Sequence, residues 1–285
     1  MFEAAEVGRS ISKQAFKEAE PEVHGHLLQL QQKLRQSGRS LVVIVSGVEG
    51  AGKGEVVDKL NRWFDTRDVQ THGYWDETDE EKERPRFWRF WRTLPARGTV
   101  AVMFGSWYTR PIIDHAFDVI DVHAFEHNMQ LIEELERELV RDGTIFVKLW
   151  FHLSAREQKK RLEDDARSNK LKKKSPLLDK FSKSYDRFRE VSERAIRLTD
   201  SGFSSWHIIE ATDGRYRDLT VGHTLIATLE RELNSTTSTT IEPGKSRSDT
   251  NLEQALAIDS SMRTVLDNID LDQSLTEEQY TEQLN

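Results

Sequence analysis

The apolar run Leu41-Val42-Val43-Ile44-Val45 leads straight into Ser46-Gly47-Val48-Glu49-Gly50-Ala51-Gly52-Lys53-Gly54, and this junction limits the fold more than any other stretch. A buried strand entering Gly-x-x-x-x-Gly-Lys, then an amphipathic segment (Val56, Val57, Leu60, Trp63, Phe64), has the form of a phosphate-binding loop. Glycines let the backbone fold tightly, so that successive N–H groups point inward around an anion. Lys53 supplies the charge that reaches terminal phosphates, and the following helix, from about Glu55, offers its positive end. Gly47, Gly50, Ala51, Gly52, Lys53 and Gly54 are therefore the candidate phosphate-binding positions. The usual pattern places Ser or Thr after the lysine, where a hydroxyl holds Mg²⁺. Gly54 has no hydroxyl, so a metal here needs another ligand.

Strand-like and helical runs alternate along the chain. Residues 41–45, 69–75, 99–104, 144–153 and Trp206–Glu210 read as strands. Thr78-Asp79-Glu80-Glu81 is a capping-box pattern, expected to open a helix that carries Phe87, Trp88, Phe90 and Trp91 as far as Leu94-Pro95. Phe125, Met129, Ile132, Leu135 and Leu139 recur at helical spacing over residues 124–141. Further helices are expected at 155–168, from Ser175-Pro176 to about Thr199, and at 219–233. Such alternation implies an α/β fold: a parallel sheet of about five strands with crossover helices on both faces. The segment 155–200 would form a helical lid.

Residues 1–38 read as a helical leader, with Ser12 as a cap and Leu27, Leu28, Leu30 and Leu34 as its apolar stripe. The main domain then covers 39–234. From Asn234 the composition changes to Ser-Thr-Thr-Ser-Thr-Thr and Pro243-Gly244, which reads as a linker. Within 235–285 the run Leu275-Thr276-Glu277-Glu278-Gln279-Tyr280 echoes Ile11-Ser12-Lys13-Gln14-Ala15-Phe16, as the start of a second copy of the domain would.

Composition excludes several classes. A net charge of −8 argues against general nucleic-acid binding, so an anionic substrate must be held by local clusters of Lys and Arg. The absence of cysteine removes disulfides, thiolate metal sites and cysteine nucleophiles. No run of about 18 apolar residues and no signal peptide is present, so the expectation is a cytoplasmic protein without membrane association.

Taken in order, the motifs resemble the polyphosphate kinase 2 family, and in particular the first half of its tandem-domain members. The resemblance spans roughly residues 10–234. It rests on the phosphate loop, Glu80-Glu81 with Arg89 and Leu94-Pro95, Gly105-Ser106-Trp107-Tyr108-Thr109-Arg110, Lys148-Leu149-Trp150, Glu157-Gln158 with Arg161, Ser175-Pro176, and Trp206. It implies a P-loop kinase-like fold with a lid, and Mg²⁺-dependent transfer between inorganic polyphosphate and a nucleotide, AMP to ADP foremost. The matching positions imply Lys53 and Arg110 for charge, Glu49 and Asp114 for metal, and Arg89 and Arg161 for phosphate. A homo-oligomer or a tandem second domain is the implied assembly.

The chain also departs from that pattern. The family's loop carries Asp where Glu49 stands, and its strand-end acid falls on Phe104, with Gly105 in place of the adjacent basic residue. Loss of one metal-orienting carboxylate would cost several kcal/mol of transition-state stabilisation, on the order of a hundredfold in rate. A catalytically degraded polyphosphate- or nucleotide-binding domain, supporting an active partner, is therefore a second expectation. An ATP-dependent nucleoside monophosphate kinase is a third, because Gly50-Ala51-Gly52-Lys53-Gly54 also resembles the adenylate kinase loop.

Other features have two readings. Arg84, Arg86, Arg89 and Arg92 could form a polyanion track or a solvated helix face, and residues 170–174 a lid segment or an exposed loop. Arg161 could pair with Glu157 one turn away. Arg215 and Arg217 follow the last strand, where such sheets present ligand contacts, but a role without a ligand weighs more for them. Trp107 and Tyr108 are better placed for packing than for flanking a base.

Overall fold

The computed structural model describes residues 1–167 and 184–234. Expectations placed on 168–183 and 235–285, namely the lysine run, the Ser175-Pro176 helix start, the linker and the second copy, lie outside the described residues. Five strands form one sheet: β1 (Ser40–Gly47), β2 (Val69–Gly73), β3 (Val100–Phe104), β4 (Thr144–His152) and β5 (Trp206–Glu210), in the order β2-β3-β1-β4-β5. Every neighbouring pair is parallel. β1 and β4 are Val-, Ile- and Leu-rich and buried almost throughout, as strands covered on both faces must be.

The helices are α1 (Lys13–Gln36), α2 (Lys53–Trp63), α3 (Asp79–Lys82), α4 (Trp88–Trp91), α5 (Thr109–Ala116), α6 (Val122–Arg141), α7 (Ala155–Arg167), α8 (Tyr185–Thr199) and α9 (Gly214–Asn234). α1, α2 and α9 pack together. Gly222 of α9 permits this, since a Cβ there would lie 2.4 Å from Val23 and 3.2 Å from Trp63. α5, α6 and α8 form the other layer. Ser12 caps α1 by accepting from Ala15 N at 3.1 Å, and Asp121 caps α6 in the same way.

Two expectations are corrected. The single helix proposed from Thr78 is two short ones, α3 and α4, separated at Pro85; the capping box of Thr78 and Glu81 is real, but it starts only one turn. The last helix begins at Gly214, not 219. The first residues of the leader pack against the sheet. Phe2 is wholly buried and stacks on His152, with centroids 4.5 Å apart. Glu6 Oε1 lies 2.7 Å from His152 Nε2, and Gly8 and Arg9 donate their N–H groups to Glu210 Oε1 at 2.5 and 2.8 Å. This segment covers the carboxyl ends of β4 and β5. Among the described residues no helix is long and apolar enough to cross a membrane.

From β1 the chain moves outward to β2, returns to β3, and then crosses β1 to reach β4. The carboxyl end of β1 is therefore the point where the strand order reverses, the crevice where open α/β sheets bind ligands.

Candidate functional site

The expected phosphate loop occupies that crevice. Gly47, at φ +140°, passes so close to β4 that a Cβ would lie 2.2 Å from the Phe151 carbonyl oxygen, and Val48 N–H donates to that oxygen at 3.0 Å. Gly52, at φ +75°, precedes α2 without a side-chain cap. The first amides of α2 are left to a ligand, at the positive end of the helix. Lys53 Nζ folds over the loop and donates to Gly47 O at 2.9 Å, Val48 O at 3.0 Å and Glu49 Oε1 at 3.1 Å. A Cβ built on Gly54 meets nothing within 4 Å, so the place of the usual hydroxyl is open space.

The loop is braced from behind by cations bonded to its carbonyls. Arg161, from α7, donates to Gly50 O at 3.0 Å and to Ala211 O and Thr212 O, both at 2.7 Å. The expected phosphate ligand thus ties α7 and the turn after β5 to the loop backbone. Gln158 adds a bond to Glu49 O at 3.2 Å. Arg217 is 2 % exposed and fills the space beside Gly52. It donates to Ala51 O at 3.3 Å and is paired with Asp218 at 2.8 Å and Glu55 at 3.0 Å. Burial raises the Asp218 carboxyl above its ordinary range, against the pull of Arg217. Arg215 lies outside this brace, bonded to Asp213.

The turn after β3 forms the facing wall. Trp107 and Tyr108 are buried, as packing residues should be, and both donate to Glu136 Oε1 of α6, at 3.0 and 2.7 Å. Glu136 Oε2 accepts from Lys148 Nζ of β4 at 2.8 Å and from Ser204 at 3.0 Å, and Lys148 reaches Thr199 O at 2.8 Å. Lys148 and Glu136 are both fully enclosed. Burial lowers the Lys148 pKa, with Glu136 opposing, and burial raises that of Tyr108, which stays a neutral donor. The Ser106-Trp107-Tyr108 element is thus a fastening that sets the start of α5. Neither Glu136 nor Ser204 was foreseen as part of it.

α5 carries Arg110 and Asp114, paired at 2.7 Å one turn apart, with the guanidinium 61 % exposed. That hydrogen bond, with Glu77 and Asp76 nearby, raises the Arg110 pKa above its ordinary value. Arg89 is enclosed: it pairs with Glu81 at 3.3 Å, donates to Trp75 O at 3.1 Å, and lies over the Tyr74 ring. The rest of the arginine group is spread out. Arg84 and Arg92 flank Trp88 at 5.1 and 4.7 Å, and Arg86 bonds Asn128.

The two carboxylates expected to serve a metal are each engaged by a cation, Glu49 by Lys53 and Asp114 by Arg110. Among the described residues no three His, Asp or Glu side chains gather within ligating reach. Such a donor set does not make a protein cage. It does suit Mg²⁺, which keeps waters and is commonly held by one or two carboxylates together with substrate phosphates.

Comparison with known proteins agrees with this geometry. The Polyphosphate kinase 2 (PPK2) family profile matches residues 10–237. A Polyphosphate:AMP phosphotransferase of Pseudomonas aeruginosa is 38% identical over 291 residues, covering 100% of this chain and 56% of its own. An AMP/ADP-polyphosphate phosphotransferase of Meiothermus ruber is 26% identical over 220 residues, covering 76% of this chain and 82% of its own. The crystal structure of Polyphosphate Kinase 2 from Arthrobacter aurescens superposes with a TM-score of 0.74 at 26% identity, covering 89% of both chains. The chain spans a little over half the length of the Pseudomonas relative. With the phosphate loop, the strand order and these similarities in agreement, the chain belongs to the polyphosphate kinase 2 family.

Proposed function

We propose that this domain transfers phosphoryl groups between inorganic polyphosphate and a nucleotide, with AMP as the acceptor. The observation that carries the reading is the glycine loop at the reversal point, with Lys53 over it and uncapped α2 amides beneath. Phosphoryl transfer depends on positioning and on neutralising the transferring oxygens, and asks little covalent chemistry of the protein. Lys53 exchanges its loop carbonyls for phosphate oxygens when polyphosphate enters. Arg110, 61 % exposed on α5, supports the acceptor's charge. The attacking oxygen of AMP is already anionic, so no strong general base is required. Glu49 and Asp114 are the residues that would hold Mg²⁺, which when bound would neutralise charge on the phosphate oxygens. The names of the relatives support the substrate pair. Arg161 and Arg217 serve by holding the loop in shape.

A second reading, a binding domain without turnover, is favoured by one observation: β3 ends in Phe104, which can neither ligate a metal nor steer an oxygen. Formation of ADP from AMP, polyphosphate and Mg²⁺ separates the two. The first reading expects turnover by the unmodified chain. The second expects none, with at least a hundredfold gain in Phe104→Asp. Equal, robust rates in both proteins would end the second reading.

A further inference from the structure

Trp75 is 77 % exposed, the most exposed large apolar side chain among the described residues. A single surface aromatic is ordinary, but this one has an unusual setting. It follows the carboxyl end of β2, the edge strand that β3 separates from β1 and the phosphate loop, and its ring meets that of Phe104 edge-on, with centroids 5.9 Å apart and planes at 90°. Phe104 ends β3, its Cα in register with Val45, two residues before Gly47 of the loop. The backbone that carries Trp75 is fixed. Tyr74 N–H donates to Phe104 O at 3.0 Å, and Arg89 donates to Trp75 O at 3.1 Å. Gly105 allows the two strand ends to close up, since a Cβ there would lie 2.9 Å from Tyr74 O. An anchored main chain thus presents a free indole face, and the residues after it, Asp76 and Glu77, lie near enough to Arg110 to raise its pKa.

We propose that Trp75 and Phe104 form an aromatic wall that receives the base of the nucleotide, with its phosphate directed toward Arg110 and the glycine loop. This rests on the nucleotide half of the function proposed above and adds where the base is held. An indole face stacks on any base, because every base has a π-face. The site therefore recognises a purine or pyrimidine monophosphate by its ring and does not depend on a hydrogen-bonding code. It also gives Phe104 a role: at that position the chain has a wall for a base in place of a charge for a metal.

The test compares AMP with ribose 5-phosphate, which has the phosphate and sugar but no base, by calorimetric titration of the full chain. The unmodified protein should bind AMP about tenfold or more tightly than ribose 5-phosphate, the size of one base–aromatic stack. Trp75→Ala should erase that difference, Trp75→Phe should keep most of it, and GMP should bind within a few-fold of AMP. Phe104→Ala should narrow the difference without abolishing it. Polyphosphate affinity, titrated in parallel, should not change in any of these variants. Equal affinity of the unmodified protein for AMP and ribose 5-phosphate would overturn the inference, as would a Trp75→Ala protein that still prefers AMP tenfold. Loss of polyphosphate binding in the unmodified chain would instead strike at the phosphate-loop reading, so the two failures are distinguishable.

Discussion

Gly47 and Gly54 stand seven residues apart in one loop, yet the structure asks different things of them. Gly47 has a backbone conformation that L side chains rarely adopt and a carbonyl oxygen 2.2 Å from the place of its Cβ, whereas Gly54 opens onto empty space. Gly47→Ala must separate β1 from β4 and is expected to cost at least about 2 kcal/mol in urea unfolding. Gly54→Ala, at the start of α2, should stay within about 1 kcal/mol of the parent and need not be destabilising. Comparable losses in the two variants would contradict the geometry. At this scale the loop was legible, because strand, glycines and lysine occur in a fixed order. Arg217 was harder to place: its position after the last strand left a ligand contact as the lesser of two readings, and only the fold shows it buried beside Gly52.

Among the elements, β4 and α6 are joined by charge as well as by apolar packing. Lys148 falls in the middle of a buried strand, and Glu136 falls on the apolar face of α6 defined by Met129, Ile132, Leu135 and Leu139. Both anomalies are visible in the sequence, since fully buried Lys and Glu are rare unless paired. What it does not show is that the two strangers meet. Removing one partner leaves an unpaired buried charge, so Glu136→Leu or Lys148→Met alone should each cost about 3–5 kcal/mol. The double variant should recover much of that loss in a double-mutant cycle; strictly additive losses would mean that the pair is not coupled. The element read least well was the segment 78–94. Its capping box and aromatic spacing both suggested one helix, but Pro85 has no N–H to continue the ladder and divides it. The strands were legible because continuous apolar runs between turn residues have few other uses in an α/β chain.

Across the whole molecule, the buried His152 and the half-buried His207 give stability a direction with pH. Burial lowers the pKa of His152 and of His207 below the ordinary 6.5, in His152 against the opposing pull of Glu6. The unfolded chain therefore binds more protons than the folded one as pH falls below about 6.5, so stability must rise with pH through that window. Their contribution is complete above 6.5 and is lost on descent toward the folded values. Urea midpoints should be higher at pH 7.5 than at pH 5.5, and His207→Gln should reduce the difference. A midpoint that increases toward pH 5.5 would contradict it. The charge balance has a second consequence. With a net charge of −8, the chain can hold a polyanion only through local cations set against a repulsive background. On the function proposed above, Lys53 has that task. The most direct test is titration of polyphosphate into the unmodified chain and into Lys53→Ala, at one fixed salt concentration. A loss of roughly tenfold to a hundredfold in affinity, as expected for a charged hydrogen-bond donor, with unfolding midpoints unchanged, is the predicted result. Equal affinity in the two proteins would mean that polyphosphate does not use the glycine loop.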